Sequence, residues 1–204
     1  MIAKISTSDG AFQGQFLVAM PGMPDDRFRQ SLIYICSHNE DGAMGLIANR
    51  PHSKLSFSDL LGELSLAKSS SKEIDDDIVI ENSDGEIAVY EGGPVEDHRG
   101  FVLHSNDFFM SNTLPVGPKL GMTTSLDVLR HITKGTGPKR SFIAMGYSGW
   151  GAGQLEQEIA ENGWLVCPAD SEVLFSVSPE DRYGMVLASI GVDPMALSSQ
   201  MGHA

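Results

Sequence analysis

Short apolar runs broken by Gly, Pro and Asn fill the first half of the chain, a pattern of strands joined by tight turns. Phe16 to Met20 is one such run and ends at Pro21-Gly22. Leu32 to Cys36 is a second, and Ile33, Tyr34 and Ile35 give it the β-branched and aromatic character that strands favour. Between them, Pro24-Asp25-Asp26-Arg27-Phe28 predicts one helical turn, with Pro at its start and acids where the helix dipole favours them. Asn39-Glu40-Asp41-Gly42 predicts a hairpin in which Gly42 takes positive φ. Gly45 to Ala48 then returns as a third strand until Asn49-Arg50-Pro51 stops it. Further strands are expected at Glu86 to Tyr90, Gly100 to Ser105 and Ser141 to Tyr147.

Helical spacing takes over in four places. Ser56 with Asp59 three residues on makes a capping box, and Leu60, Leu61 and Leu64 follow on one face. A second helix is capped by Thr124, carries Val128, Leu129 and Ile132, and stops at Gly135. The third runs from Gln154 to Asn162 with Leu155 and Ile159 four apart. The fourth opens at Ser178-Pro179, carries Tyr183, Val186, Leu187 and Ile190, and closes at Gly191. Strands are not regularly followed by helices, so the pattern predicts an α+β single domain rather than a doubly wound α/β sheet.

Composition narrows the function classes. A chain of 204 residues with 41% hydrophobic residues suits one domain with a real core. Fourteen Lys and Arg against 27 Asp and Glu leave a net charge of −13. That balance repels phosphate backbones and anionic lipid, so direct DNA binding and membrane association are not expected. The stretch from Glu73 to Glu86 holds seven acids and no base, and reads as a solvated, variable acidic loop. The uncharged stretch Ser141 to Leu155 is rich in Gly and Ser and is no membrane span. The amino end lacks the regions of a signal peptide and there are only two cysteines, so the cytoplasm is the expected compartment.

Four segments could carry chemistry. Gly146-Tyr147-Ser148-Gly149-Trp150-Gly151-Ala152-Gly153 lies between an expected strand and helix, where phosphate-binding loops occur. Its register fails, because the dinucleotide pattern needs Gly at Gln154, the P-loop lacks its Lys, and a nucleophile elbow needs Gly at Trp150. Glu156 and Glu158 would also oppose an anion there, so a glycine-rich turn packed under Trp150 is the preferred reading. Cys36 and His38, two apart on a strand, should share a face; without further ligand spacing among the other histidines they predict a buried thiol rather than a zinc site or a nucleophile. The turn Glu91 to Gly100 carries Arg99, which could bind an anion but more simply pairs with a nearby carboxylate. Arg130, His131, Lys134, Lys139 and Arg140 form the one basic cluster, read as a solvated helix end.

These residues also carry a resemblance. Phe16-Leu17-Val18-Ala19-Met20-Pro21, Cys36-Ser37-His38-Asn39 and Gly42-Ala43-Met44-Gly45-Leu46-Ile47-Ala48-Asn49-Arg50-Pro51 closely resemble the amino-terminal signature of the bacterial AlgH/YqgE family. Gly92-Gly93-Pro94-Val95, Arg99 to His104, Thr123 to Leu129, Gly146 to Glu156 and the closing Leu197 to Ala204 continue it in the family's order. The resemblance implies a mixed, barrel-like closed sheet flanked by helices, in a bacterial cytosolic protein. It brings no catalytic residue, cofactor or metal to carry over, and the family's regulator label is an association with exopolysaccharide control. The expectation is a non-enzymatic regulatory or accessory protein that binds a protein or small ligand on a surface including Asn49, Arg50, Arg99, Tyr147, Trp150 and Gln154. The rival expectation is an enzyme using the loops around Arg50, Arg99 and Trp150 as its pocket.

Overall fold

In a computed structural model, residues 10–62, 87–125 and 127–192 are described. The two leading apolar runs become β1 (Gln15–Ala19) and β2 (Leu32–Asn39), which are buried on both faces; that is why they read as unbroken runs rather than alternation. A 3₁₀ turn at Asp26–Phe28 separates them, capped by the Asp25 carboxylate accepting from the Arg27 amide. The two-residue turn Glu40-Asp41 leads into β3 (Gly42–Ile47), with Asn39 opposite Gly42 and Gly42 at φ 139°. β4 (Val89–Glu91), β5 (Val95–Ser105), β6 (Thr113–Pro115), β7 (Leu120–Thr123), β8 (Ser141–Gly151) and β9 (Trp164–Pro168) complete the strands.

Among the described residues, five α-helical segments flank them. α1 is described over 57–62, where Ser56 and Asp59 form the expected reciprocal cap: the Ser56 amide donates to the Asp59 carboxylate at 2.9 Å and the Asp59 amide to the Ser56 hydroxyl at 3.2 Å. α2 (Asp127–Thr133) is capped by the Ser125 hydroxyl, which accepts from the Asp127 amide, and not by Thr124. α3 is Gln154–Ala160, α4 Ser171–Ser176 and α5 Pro179–Ser189. Leu64, the acidic 73–86 stretch and the closing 197–204 signature lie outside the described residues.

The strands pair in the order β6-β7-β5-β8-β3-β2-β1-β9, with β4 added parallel to β8 and every other pairing antiparallel. This is the expected mixed, barrel-like sheet of an α+β domain. Its curl is a half-barrel, and no ladder among the described residues joins β9 to β6. The inner face gathers side chains from nearly every strand, among them Phe16, Tyr34, Leu103 and Phe142, and is covered by α4 and α5 through Leu174 and Leu187. Outside, α3 seals one flank with Leu155 against Leu17, Ile33, Trp150 and Trp164. The other flank is sealed by α1 and α2 through Leu61, Val128 and Leu129.

β8 is the hinge of this arrangement. Its first half pairs with β5 and β4, and its last residues pair with β3. The strand expected to end at Tyr147 runs on, so Ser148 to Gly151, expected in the glycine-rich turn, is strand and only residues 152–153 turn toward α3. Residues 95–99, also expected in a turn, belong to β5, whose register against β8 shifts between Val95 and Gly100. Bare backbone makes the crossing possible: a Cβ on Gly93 would stand 2.1 Å from the Tyr147 carbonyl carbon, and one on Gly42 2.0 Å from the Trp150 oxygen.

A β-bulge between Ile35 and Ser37 corrects another expectation. Cys36 packs into the inner core, while His38, opposite Ala43, turns outward to Glu156 of α3. The extra residue reverses the alternation, so the thiol and the imidazole lie on opposite faces.

Candidate functional site

Asn49 and Arg50, at the end of β3, act first on their own chain. The Asn49 amide accepts from the Leu32 amide and donates to the Gln30 carbonyl, both at 2.8 Å. The Arg50 guanidinium donates to the carbonyls of Arg27 (2.6 Å) and Arg29 (3.3 Å) and to the Ser31 hydroxyl (3.1 Å). Together they bind the 3₁₀ segment to the sheet, and much of Arg50's donor capacity is spent there. Arg99 pairs with Glu96 at 2.9 Å and lies over the Phe101 ring, which Tyr147 meets edge-on from its half-buried position. Arg99 thus braces the first residues of β5.

Trp150 is 7% exposed. Its indole N–H donates to Glu158 Oε2 at 2.9 Å, and the Trp164 indole donates to the same oxygen at 2.7 Å, with the two rings edge to face at 5.9 Å. Gln154 donates to the other oxygen, Glu158 Oε1, at 2.9 Å, and its own Oε1 accepts from the Gly151 amide at 3.0 Å. One carboxylate on α3 therefore ties the end of β8 to the start of β9. Both functions follow from helix geometry, since Gln154 and Glu158 stand four apart on one face.

Against this cluster opens a groove of about 590 Å³, walled by Met23, Phe28, Pro94, Trp150, Gln154 and Glu158. A neighbouring cavity of about 320 Å³ is lined by Arg50, His52, Glu91 and Asp97, and Arg27 and Pro94 belong to both walls. Of the six expected surface residues, Trp150 and Gln154 line the groove and Arg50 the adjoining cavity. Asn49, Arg99 and Tyr147 contribute to neither wall. The groove's volume sits in the range of small-ligand sites, and its aromatic and apolar side chains share the wall with Asp25, Arg27, Gln154, Glu158, Glu161 and Asn162. Asp25 at its rim is held below the usual carboxylate range, chiefly by the hydrogen bond from the Arg27 side chain.

The remaining candidates are structural. Burial pushes the Cys36 thiol well up and the Cys167 thiol to about 11, and both are free and buried in the inner core. Neither is available as a thiolate. His38 is buried against Phe12 and bonded through Nε2 to Glu156 at 2.9 Å. Among the described residues, no three His, Cys, Asp or Glu side chains converge as metal ligands would. Met23 and Phe28 were not singled out as site residues, and Glu158 was read only as opposing an anion; the i, i+4 pair Gln154 and Glu158 was the signal that could have pointed to its clasp.

The sequence pattern of the AlgH-like family (DUF179) matches residues 16–195. The chain belongs to the AlgH-like family. A UPF0301 protein of Methylocella silvestris is 50% identical over 198 residues, covering 96% of this chain and 93% of that one. Another, of Rhizobium etli, is 48% identical over 195 residues, covering 96% and 94%. The solution structure of the AlgH protein from Pseudomonas aeruginosa matches with a TM-score of 0.74 and 43% identity over 98% of this chain and 100% of that one. A crystal structure from Corynebacterium diphtheriae, 21% identical over 96% of this chain and 93% of its own, has a TM-score of 0.66 and shares the fold. The AlgH-like half-barrel thus keeps its curl across sequences as distant as these.

Proposed function

We propose that this AlgH-like protein has a non-enzymatic, regulatory or accessory role in the cytoplasm, exerted by binding a small ligand or partner protein in the groove beside Trp150. The observation that carries this reading is the groove itself: its floor is an indole fixed by Glu158 and its rim a guanidinium, Arg27, shared with the adjoining cavity. Rigid aromatic surface with anchored polar groups suits recognition. The net charge of −13 supports an effect relayed through a ligand or protein rather than by direct contact with DNA. Among the described residues no helix is long and apolar enough to cross a membrane.

A metabolite screen by thermal shift, followed by two-dimensional NMR of the two indole N–H signals, tests the proposal. A true ligand raises the unfolding midpoint and moves the Trp150 signal, and Gln154→Ala or Met23→Ala weakens it. Chemical conversion of the ligand would transfer the groove to the enzyme reading. Shifts that persist undiminished in both variants would place binding elsewhere and overturn the proposal.

A further inference from the structure

A different concavity, of about 440 Å³, lies where α4 and α5 meet β4 and the start of β8. Arg182 of α5 is in its wall and only 4% exposed. Its Nε donates to the Val177 carbonyl at 3.0 Å, Nη1 donates to the Ala48 carbonyl, and the guanidinium lies 5.2 Å from the Tyr90 ring centroid. Nη2 has no hydrogen-bond partner among the described residues, and no carboxylate among them pairs with this arginine. A buried cation without a counter-charge is costly, and carbonyl dipoles and one ring offset only part of that cost.

Two further cations face the same space. Lys139 and Arg140, expected to belong to a solvated helix end, line this cavity instead, and Arg130 of the same cluster turns away to Asp127. Arg140 pairs with Glu172 and lies 5.3 Å from the Phe175 ring centroid. Among the described residues, three cations line this concavity and the Glu172 carboxylate pairs with one of them, while Asp107, outside the wall, accepts from the Lys139 amide at 3.2 Å; the lining itself is cationic in a chain whose overall charge is −13. Phe142, Phe175 and Ile132 supply an apolar wall beside them.

We infer that this cavity binds a small organic phosphate. The anionic head accepts from Arg182 Nη2 and from Arg140 and Lys139, and an apolar body rests on Phe175 and Ile132. Guanidinium and ammonium N–H groups suit phosphate oxygens, and a phosphate offers three terminal oxygens to the three cations where a carboxylate offers two. The site is separate from the groove beside Trp150 and stands independently of its proposed role.

The test titrates the full chain with inorganic phosphate, phenyl phosphate and benzoate at constant ionic strength set by chloride. NMR follows the Arg182 Nε–H signal and the amides of Lys139, Ser141 and Phe175. The expected result is saturable movement of these signals, tightest with phenyl phosphate. Lys139→Gln combined with Arg140→Gln should weaken phenyl phosphate about tenfold or more, the scale of losing charged hydrogen bonds. Arg130→Gln with Lys134→Gln should leave it unchanged. Both double variants alter exposed or half-exposed side chains, so folding is not at stake as it would be for Arg182→Leu. Absence of saturation, equal affinity in the Lys139/Arg140 variant, or benzoate binding as tightly as phenyl phosphate would each overturn the inference.

Discussion

At Trp150 a single side chain joins packing to hydrogen bonding. The ring is buried against Trp164 while its N–H feeds Glu158. Trp150→Ala should therefore lose about 3–5 kcal/mol in denaturant melts, as buried aromatic truncations do. Glu158→Ala should lose about 1–3 kcal/mol for each indole donor left without its acceptor. A Trp150→Ala cost within about 0.5 kcal/mol, usual at exposed sites, would contradict this packing. His104 offers a pH test. It is fully buried, with Nε2 3.0 Å from the Thr123 hydroxyl and Nδ1 2.9 Å from the Ser105 carbonyl. Burial pulls its pKa below the ordinary 6.5, so as pH falls the unfolded chain takes up the proton first. Its contribution is whole above the unfolded value and drains as pH drops toward the folded one. Urea midpoints should fall on going from about pH 7.5 to about pH 5.5, and less steeply in His104→Gln; parallel slopes would refute the assignment.

Among the elements, α3 is the one whose role extends furthest beyond its length. β8 and β9 run parallel, and α3 carries the chain between them across the outer flank of β3, β2 and β1. The Glu158 clasp fixes both ends of that crossover. Where β8 passes the Gly92-Gly93 segment, any side chain collides: Gly93→Ala puts a Cβ 2.1 Å from Tyr147 backbone at φ 153°. This substitution should cost more than about 3 kcal/mol, as overpacking and backbone strain add, whereas Gly184→Ala, with open space around it on α5, should be neutral or stabilising. Thermal melts of the two variants compare them directly. The same elements show what the sequence could reveal. β1, β2 and the capped helices were legible because apolar runs, capping boxes and Gly stops act locally. β7 was hidden because Gly121 interrupts it, and β6 because it is short and ends in Pro115. The strand character of Ser148 to Gly151 was masked by its glycines, whose meaning depends on segments distant in the chain. The bulge at Cys36 left no local mark, so the outward turn of His38 could not be read. Trp150 and Gln154, singled out through their glycine-rich setting, line the groove, but its other wall is supplied by Met23 and Phe28, which only the fold brings opposite.

For the molecule as a whole, charge is the dominant long-range property. At −13, net repulsion opposes the approach of a duplex, and among the described residues Arg130 and Arg140 are held in ion pairs while Lys139, Arg140 and Arg182 face the concavity beside α4 and α5. Titration with DNA near physiological salt should give no salt-dependent dissociation constant tighter than about 1 μM, the tight end of ordinary non-specific binding. A tighter, salt-sensitive value would revive direct regulation of DNA. The strand order carries a different consequence, for the making of the protein. The β1-β2-β3 meander is the first sheet to leave the ribosome, yet its two outer neighbours, β8 and β9, are among the last strands synthesised. Nascent chains therefore present two bare strand edges for most of translation, the condition under which chains aggregate or call on chaperones, and both edges of the meander are covered only after synthesis has passed Pro168.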